Sequence, residues 1–366
     1  MPEAVSIANK LLFFEILKGF EGLVLIPDFV FFSTTVNGHW MLLQLEAKGI
    51  LPKLVIGLSE RPAGVGDEYF SSERFCLQRG IGFLALEDYN LANSVERIKH
   101  HTQGCELSVV AGWQRLIPAE VLSLFTSGNI GFHGSHCGID RGRGRSPQNW
   151  AIILGAEIFL LSCFEIGEGI DDGPVYMEEE IRIKPDDDIA SLHVKVAIRG
   201  ADMLSVVLLD KDRKSKSRVQ SAHSSYLPKR TKEDGYIDWY LSADEIRDFV
   251  RALTWPYPGA RVRLDRNTDL VVLRARVLEN STKLSLIKSW TPGQVGLIGP
   301  DQELVVFAGK DSLLIDDYVL EGPKIPLPRI LPSENKTGTM RRILRRHEKS
   351  YPDYPVLEEL RDTHED

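Results

Sequence analysis

Residues 29 to 132 alternate short apolar runs with helix-like segments, and that alternation leaves few folds open. Phe29 to Ser33, Leu54 to Leu58, Gly82 to Leu86, Leu107 to Ala111 and Asn129 to Phe132 read as strands. Between them, Trp40 to Lys48, Phe75 to Arg79, Val95 to His101 and a stretch from Pro118 to about Phe125 read as helices. Gly49 suits a helix stop, and Pro118 suits a first helical turn. Strands joined by helical crossovers lie parallel and are covered on both faces. The expectation is a Rossmann-like, mostly parallel α/β sheet with helices on both faces. Such sheets bind ligands at the C-terminal ends of their strands, where His133 falls.

A different pattern follows. Ile181 to Ile183 reads as a strand, and Ile189, Leu192, Val196, Met203 and Val207 recur at helical spacing. Lys211 to Ser225 is polar and reads as an exposed linker. Ser242-Ala243-Asp244-Glu245 is a capping box ahead of Ile246, Phe249, Val250 and Leu253. From Ala260 to about Leu320, short apolar segments alternate with Gly, Asp and Asn turns, which suggests a small β-barrel or curled sheet. The expected division is a helical extension over 1–28, a catalytic domain over 29–210, a linker over 211–225, a smaller OB-like barrel domain over 226–322 and a tail over 323–366. Leu12, Ile16 and Phe20 share one face of the first helix. Met340, Ile343, Leu344 and His347 suggest a short basic helix in the tail.

The chain of 366 residues has a formal net charge of −8, which is no general polyanion binder; an anionic ligand needs local basic residues. The four cysteines, Cys76, Cys105, Cys137 and Cys163, include no C-x-x-C pair, so free thiols in a reducing cytoplasm are expected. No run reaches the roughly 18 to 20 apolar residues a membrane span needs, and no signal peptide is expected. A dinucleotide site is disfavoured. Thr34-Thr35-Val36-Asn37-Gly38 is not G-x-G-x-x-G, and Gly64-Val65-Gly66 and Gly142-Arg143-Gly144 lack the third glycine.

Polar detail concentrates between residues 129 and 174. His133 follows an apolar run and is flanked by Gly131 and Gly134, which permit close backbone approach. Imidazole suits proton transfer near neutrality. Asp171 lies 38 residues on, in Ile170-Asp171-Asp172-Gly173-Pro174, a reasonable length for a helix, a strand and a return. Asp in such a turn also has a purely local role in turn chemistry. Ser146 and Pro147 suit a helix start, and Arg141, Arg143 and Arg145 beside it suit either an anion or a solvated basic loop. His133, His136 and Cys137 are metal-ligating types, but no further ligand cluster accompanies them and no metal is expected.

Taken together, these strings resemble the folate-dependent formyltransferases. The resemblance rests on Gly131-Phe132-His133-Gly134-Ser135, on Arg143-Gly144-Arg145-Ser146-Pro147 with Trp150-Ala151-Ile152, and on Asp171-Asp172-Gly173-Pro174. It extends to Gly112-Trp113-Gln114-Arg115-Leu116-Ile117-Pro118, Lys229 to Trp239, Arg251 to Thr254 and Pro256 to Ala260, and so covers roughly residues 29–320. It implies a Rossmann-like domain with a smaller C-terminal barrel, 10-formyltetrahydrofolate as cosubstrate, and an Asn/His/Asp catalytic set. His133 and Asp171 match that set. The asparagine slot is Gly131, and Asn129 lies on the same strand face about 6–7 Å further back. The resemblance places the pterin against Gly112, Trp113 and Ile117 and the loop holding Gly169 and Ile170. Ser135, Arg143 and Arg145 are the candidates for substrate contact. The favoured acceptor is the amine of a nucleotide-linked amino sugar. Methionyl-tRNA is the alternative acceptor, and a non-catalytic ligand-binding protein is a third reading. A homodimer stays open.

Overall fold

The computed structural model describes residues 26–59, 68–278, 290–300 and 302–362. The helix read on Leu12, Ile16 and Phe20 lies outside the described residues. The chain divides into two compact units. The first takes Met1–His133, Leu161–Glu179 and Val194–Gln220, and the second takes Gly134–Leu160, Glu180–His193 and Ser221–Asp366.

The alternation read from the sequence is realised as β1 (Phe29–Phe32), α1 (Val36–Ala47), β2 (Leu54–Leu58), α2 (Glu73–Arg79), β3 (Gly82–Leu86), α3 (Val95–His101), β4 (Leu107–Val110), α4 (Ala119–Leu122) and β5 (Gly128–Ser135). Helix α4 is a single turn, shorter than the run to Phe125 expected. Strand β5 runs past His133 to Ser135, so the histidine sits inside the strand rather than beyond its end. β6 (Arg143–Gly144), α5 (Pro147–Ile153), β7 (Ile158–Glu165), β8 (Val175–Arg182) and α6 (Ile189–Leu209) follow.

Seven strands form one sheet in the order β3-β2-β1-β4-β5-β7-β8. The pairs β2–β3, β1–β2, β1–β4 and β4–β5 are parallel. The direction then changes. Ile166 N–H donates to the Asn129 carbonyl at 2.7 Å, so the end of β7 lies beside the start of β5 and the two strands run oppositely. β1 and β2 are buried along their whole length, as a strand covered on both faces must be. Val30, Phe32, Leu54, Ile56 and Leu58 join one cluster with Trp113, Ile117 and Phe125, and Ile166 packs against it.

Past α6 the segment read as a linker carries a one-turn helix, α7 (Arg213–Lys216). The second unit continues through β9 (Tyr226–Leu227), α8 (Ala243–Leu253), β10 (Ala260–Arg263), β11 (Asp269–Leu278), β12 (Val295–Ile298), β13 (Leu304–Phe307), β14 (Ser312–Glu321), α9 (Lys336–Ser350) and α10 (Glu359–Asp362). β10 to β14 make a five-stranded antiparallel sheet ordered β10-β11-β14-β13-β12. Register shifts around Arg274 in the β11–β14 pair add local twist, which curls the sheet. The expectation of an OB-like barrel therefore narrows to a curled antiparallel sheet. α8 packs on it through Ile246, Val250 and Leu253. The basic helix read around Met340 to His347 is α9, with Met340, Ile343 and His347 buried. No helix among the described residues is long and apolar enough to cross a membrane.

The capping box of α8 is formed as read. Ser242 Oγ accepts from Glu245 N–H at 3.3 Å, and the Glu245 carboxylate accepts from Ser242 N–H at 3.1 Å. Ser242→Ala removes one half of this exchange and should cost about 1 kcal/mol. Urea unfolding checks it; an unchanged midpoint would show that the cap contributes nothing.

Candidate active site

β5 and the loop after β7 bring the two central residues together. His133 Nδ1 and Asp171 Oδ2 lie 3.3 Å apart, with the imidazole almost fully buried and the carboxylate about one quarter exposed. Asp171 adopts φ +51°, the left-handed region that Asp tolerates better than most residues. Gly173, two residues on, packs so closely on Glu165 that an added Cβ would overlap the Glu165 carbonyl oxygen. Glycine is thus a steric requirement of the turn that returns the chain into β8.

Gly131 stands two residues before His133, on the same face of β5. A Cβ there would lie 2.6 Å from Ile166 Cγ1, 2.7 Å from Ile166 Cδ1 and 3.2 Å from Phe164 Cε1. Ile166 belongs to the loop that carries Asp171. The space a side chain at 131 would take is therefore filled from that loop, and the loop seats on β5 through this contact.

Asn129 is spent elsewhere. Its Oδ1 accepts from Ser108 Oγ at 2.7 Å, and its Nδ2 donates to the Leu122 carbonyl at 3.2 Å. Its backbone N–H donates to Glu165 Oε1 at 2.9 Å. The side chain is buried and both ends of its amide are used to tie β5 to β4 and α4. For the candidate catalyst Asn129 the structure shows a structural role: one hydrogen of Nδ2 and one lone pair of Oδ1 are engaged in holding β5 to its neighbours. Glu165 reinforces it. Tyr176 OH bonds the other carboxylate oxygen, and Lys214 Nζ approaches to 4.0 Å. Burial first, and then the bond to Glu165, push the Tyr176 hydroxyl well above the usual phenol range.

The segment expected to meet a pterin is anchored at the ends of β1 and β4. The Gly112 carbonyl accepts from Thr34 N–H at 3.1 Å and from Thr34 Oγ1 at 2.9 Å. The Trp113 ring lies within the core, edge-on to Phe32 at 6.0 Å and tilted against Tyr89 at 5.0 Å. Ile117 is buried in the same cluster, and Ile166 lies against it. Gly169 and Ile170 are half-buried, with Asp172 folded over Gly169. The two segments thus meet on one apolar cluster. Trp113 Nε1 is buried and finds no hydrogen-bond partner among the described residues.

Within the second unit, the residues read as substrate contacts bond to neighbouring groups of that unit. Ser135 Oγ donates to the Gly138 carbonyl at 2.8 Å and accepts from Cys137 N–H at 3.1 Å. Arg143 is buried, with Nη1 donating to Tyr226 OH at 3.4 Å, in the short parallel pair of β6 with β9. Arg145 is half-buried, and its N–H donates to the Leu227 carbonyl at 2.9 Å. Ser146 precedes α5 at φ +53° and makes no side-chain cap, contrary to the cap expected there. His136 Nε2 pairs with Glu359 at 3.1 Å, and Cys137 Sγ sits 3.5 Å from Ser135 Oγ. No group of three or more His, Cys, Asp or Glu suited to a metal occurs among the described residues.

The family described as "Formyl transferase" matches residues 71–208, and "Formyl transferase, C-terminal domain" matches residues 229–327. The methionyl-tRNA formyltransferase of Thermodesulfovibrio yellowstonii is 29% identical over 300 residues, covering 81% of this chain and 92% of the relative. That of Caldanaerobacter subterraneus subsp. tengcongensis is 30% identical over 268 residues, covering 72% and 82%. Among solved structures, a substituted variant of HypX from Aquifex aeolicus superposes with a TM-score of 0.56 at 18% identity over 90% of this chain, which spans 49% of that protein. WlaRD, a sugar 3N-formyl transferase solved in the presence of dTDP and 5-N-formyl-THF, superposes with a TM-score of 0.53 at 14% identity, covering 81% of this chain and 98% of its own. The chain belongs to the formyl transferase family. It is an N-formyltransferase, and formyl-tetrahydrofolate is the donor on which this family works.

Gly131→Asn should destabilise the chain by about 1–3 kcal/mol, because Ile166 already fills the space. Adding Ile166→Ala should recover part of that loss. Thermal unfolding of the single and double variants tests the packing; a single variant as stable as the parent would refute it.

Proposed function

We propose that this chain formylates a primary amine with His133 and Asp171 as the reacting pair, and that the amine is carried by methionyl-tRNA. The observation that carries the first half is the 3.3 Å contact between His133 Nδ1 and Asp171 Oδ2. Formyl-tetrahydrofolate supplies an electrophilic formyl carbon. Attack on such a carbon puts negative charge on its oxygen and leaves the amine with a proton to lose. A carboxylate at Nδ1 orients the imidazole, so exchange with the reacting atoms falls to Nε2. An Nε2 hydrogen can bond the developing oxyanion, and the pair together can pass the proton from the amine toward the leaving nitrogen. With no side chain at position 131, His133 carries a larger share of this stabilisation.

The apolar cluster of Ile117 and Ile166, and Trp113 Nε1 with no hydrogen-bond partner among the described residues, suit a flat heteroaromatic ring with an acceptor atom on its edge. Gly112, Ile117, Gly169 and Ile170 offer backbone for the same purpose.

Two observations support the tRNA acceptor. The curated relatives that align over most of their length are named methionyl-tRNA formyltransferases. α9 also presents Arg341, Arg345 and Lys349 to solvent in a chain that is acidic overall, and phosphate backbones are held by such local basic faces. The amino-sugar nucleotide is the second reading, carried by Ile130-Gly131-Phe132-His133 and Trp255-Pro256-Tyr257-Pro258-Gly259-Ala260. Of the arginines near 141–145 that could meet a diphosphate or the folate tail, Arg143 is buried, Arg145 half-buried and Arg141 exposed.

Formyl transfer to methionyl-tRNA and to amino-sugar nucleotides, followed from 50 to 200 mM salt, separates the two. The tRNA reaction should lose on the order of tenfold or more in kcat/KM. Turnover confined to the sugar nucleotide would overturn the acceptor. His133→Ala should lower kcat about 10²- to 10⁴-fold with either acceptor; retained turnover would overturn the reacting pair.

A further inference from the structure

We propose that Gln220 is a positioning residue for the His133–Asp171 pair, its side-chain amide clamping the turn that carries Asp171. The inference rests on that pair being the reacting one. Gln220 lies in the polar segment that reads as a linker, yet it is buried. Its Nε2 donates to the Asp171 carbonyl at 2.9 Å and to the Gly173 carbonyl at 2.7 Å. One amide nitrogen carries two hydrogens, and here each has an acceptor. The reverse orientation would set the amide oxygen against two carbonyl oxygens, so the surroundings decide which end points inward.

The clamp is itself held in place. Val175 N–H donates to the Arg218 carbonyl and Arg218 N–H to the Val175 carbonyl, both at 2.8 Å. Residues 218–220 therefore run as a strap beside the start of β8. The turn is held at several points, Glu165 N–H donating to the Pro174 carbonyl at 2.9 Å among them. Ile166 seats its beginning against Gly131, and Gly173 abuts the Glu165 carbonyl at its end. Gln220 binds the stretch between, where Asp171 keeps its left-handed backbone.

Removing the amide leaves two partly enclosed carbonyls without this donor. It also frees Asp171 to relax toward the right-handed region that L-residues prefer, which swings its carboxylate away from His133. Gln220 itself need touch no substrate.

Gln220→Met keeps the length of the side chain and deletes both donors; Gln220→Glu keeps its shape and sets an oxygen against the carbonyls. Each should lower kcat by about 10- to 100-fold, as a small misplacement of a reacting group does, while KM for both substrates stays within about twofold. In an Asp171→Asn background the same changes should alter kcat by less than about twofold, because the effect runs through Asp171. The 15N shifts of the His133 ring, read without substrate, should move in Gln220→Met in the same sense as in Asp171→Asn. Folded variants with parental kcat and an unmoved His133 ring would overturn the proposal, as would losses that multiply with Asp171→Asn. If Gln220→Met fails to fold, Gln220→Glu supplies the same readings. A parent chain that formylates no amine refutes the reaction assigned above, and the ring shifts still decide the clamp.

Discussion

Gly131 has no side chain, and Ile166 lies in the space that one would need. Because interiors are close-packed, that contact limits where the start of the loop between β7 and β8 can sit. Five residues further on, Asp171 reaches His133, although the two are 38 residues apart in the chain. With glycine at 131, the space beside His133 on β5 holds a packing contact from the loop that carries Asp171.

Behind this contact lies a set of buried and half-buried polar groups that bond to one another. Ser108, Asn129, the Leu122 carbonyl, Glu165 and Tyr176 form a connected series of hydrogen bonds. Each group left unpaired would cost about 1–3 kcal/mol. The series therefore specifies one register for β5 against its neighbours, and hence the height of His133 along the strand. A strand of purely apolar residues would pack as well but would fix its register less sharply.

The strings downstream of the site work by packing. Trp150 Nε1 donates to the Pro228 carbonyl at 2.8 Å, and Asn149 Nδ2 to the Ala252 carbonyl at 2.8 Å. Asp234 is buried, accepts from Thr231 N–H at 2.7 Å and receives Arg346 at 2.6 Å. Arg230 lies over the Trp150 ring at 4.9 Å, and burial lowers its pKa to about 10. Residues that look functional in a string, an arginine, an aspartate and a tryptophan, here hold α9, α5 and residues 228–234 together within the second unit.

Local pattern placed the five parallel strands as short apolar runs, α6 and α9 by helical spacing of apolar residues, and the capping box of α8 by its Ser and Glu, because burial and capping act on residues close in the chain. The positions of His133 and Asp171 could be picked from residue type and spacing. Local pattern did not reveal that Asn129 is spent on Ser108 and Leu122, that Arg143 is buried against Tyr226, or that Ile166 fills the space beside Gly131. Nor could it find Gln220, which stands in a stretch whose composition matches any solvated linker. These outcomes depend on which distant groups arrive at the same point. A side chain's polarity is written in the sequence, whereas its partner is chosen only when the sheet closes and the loops pack.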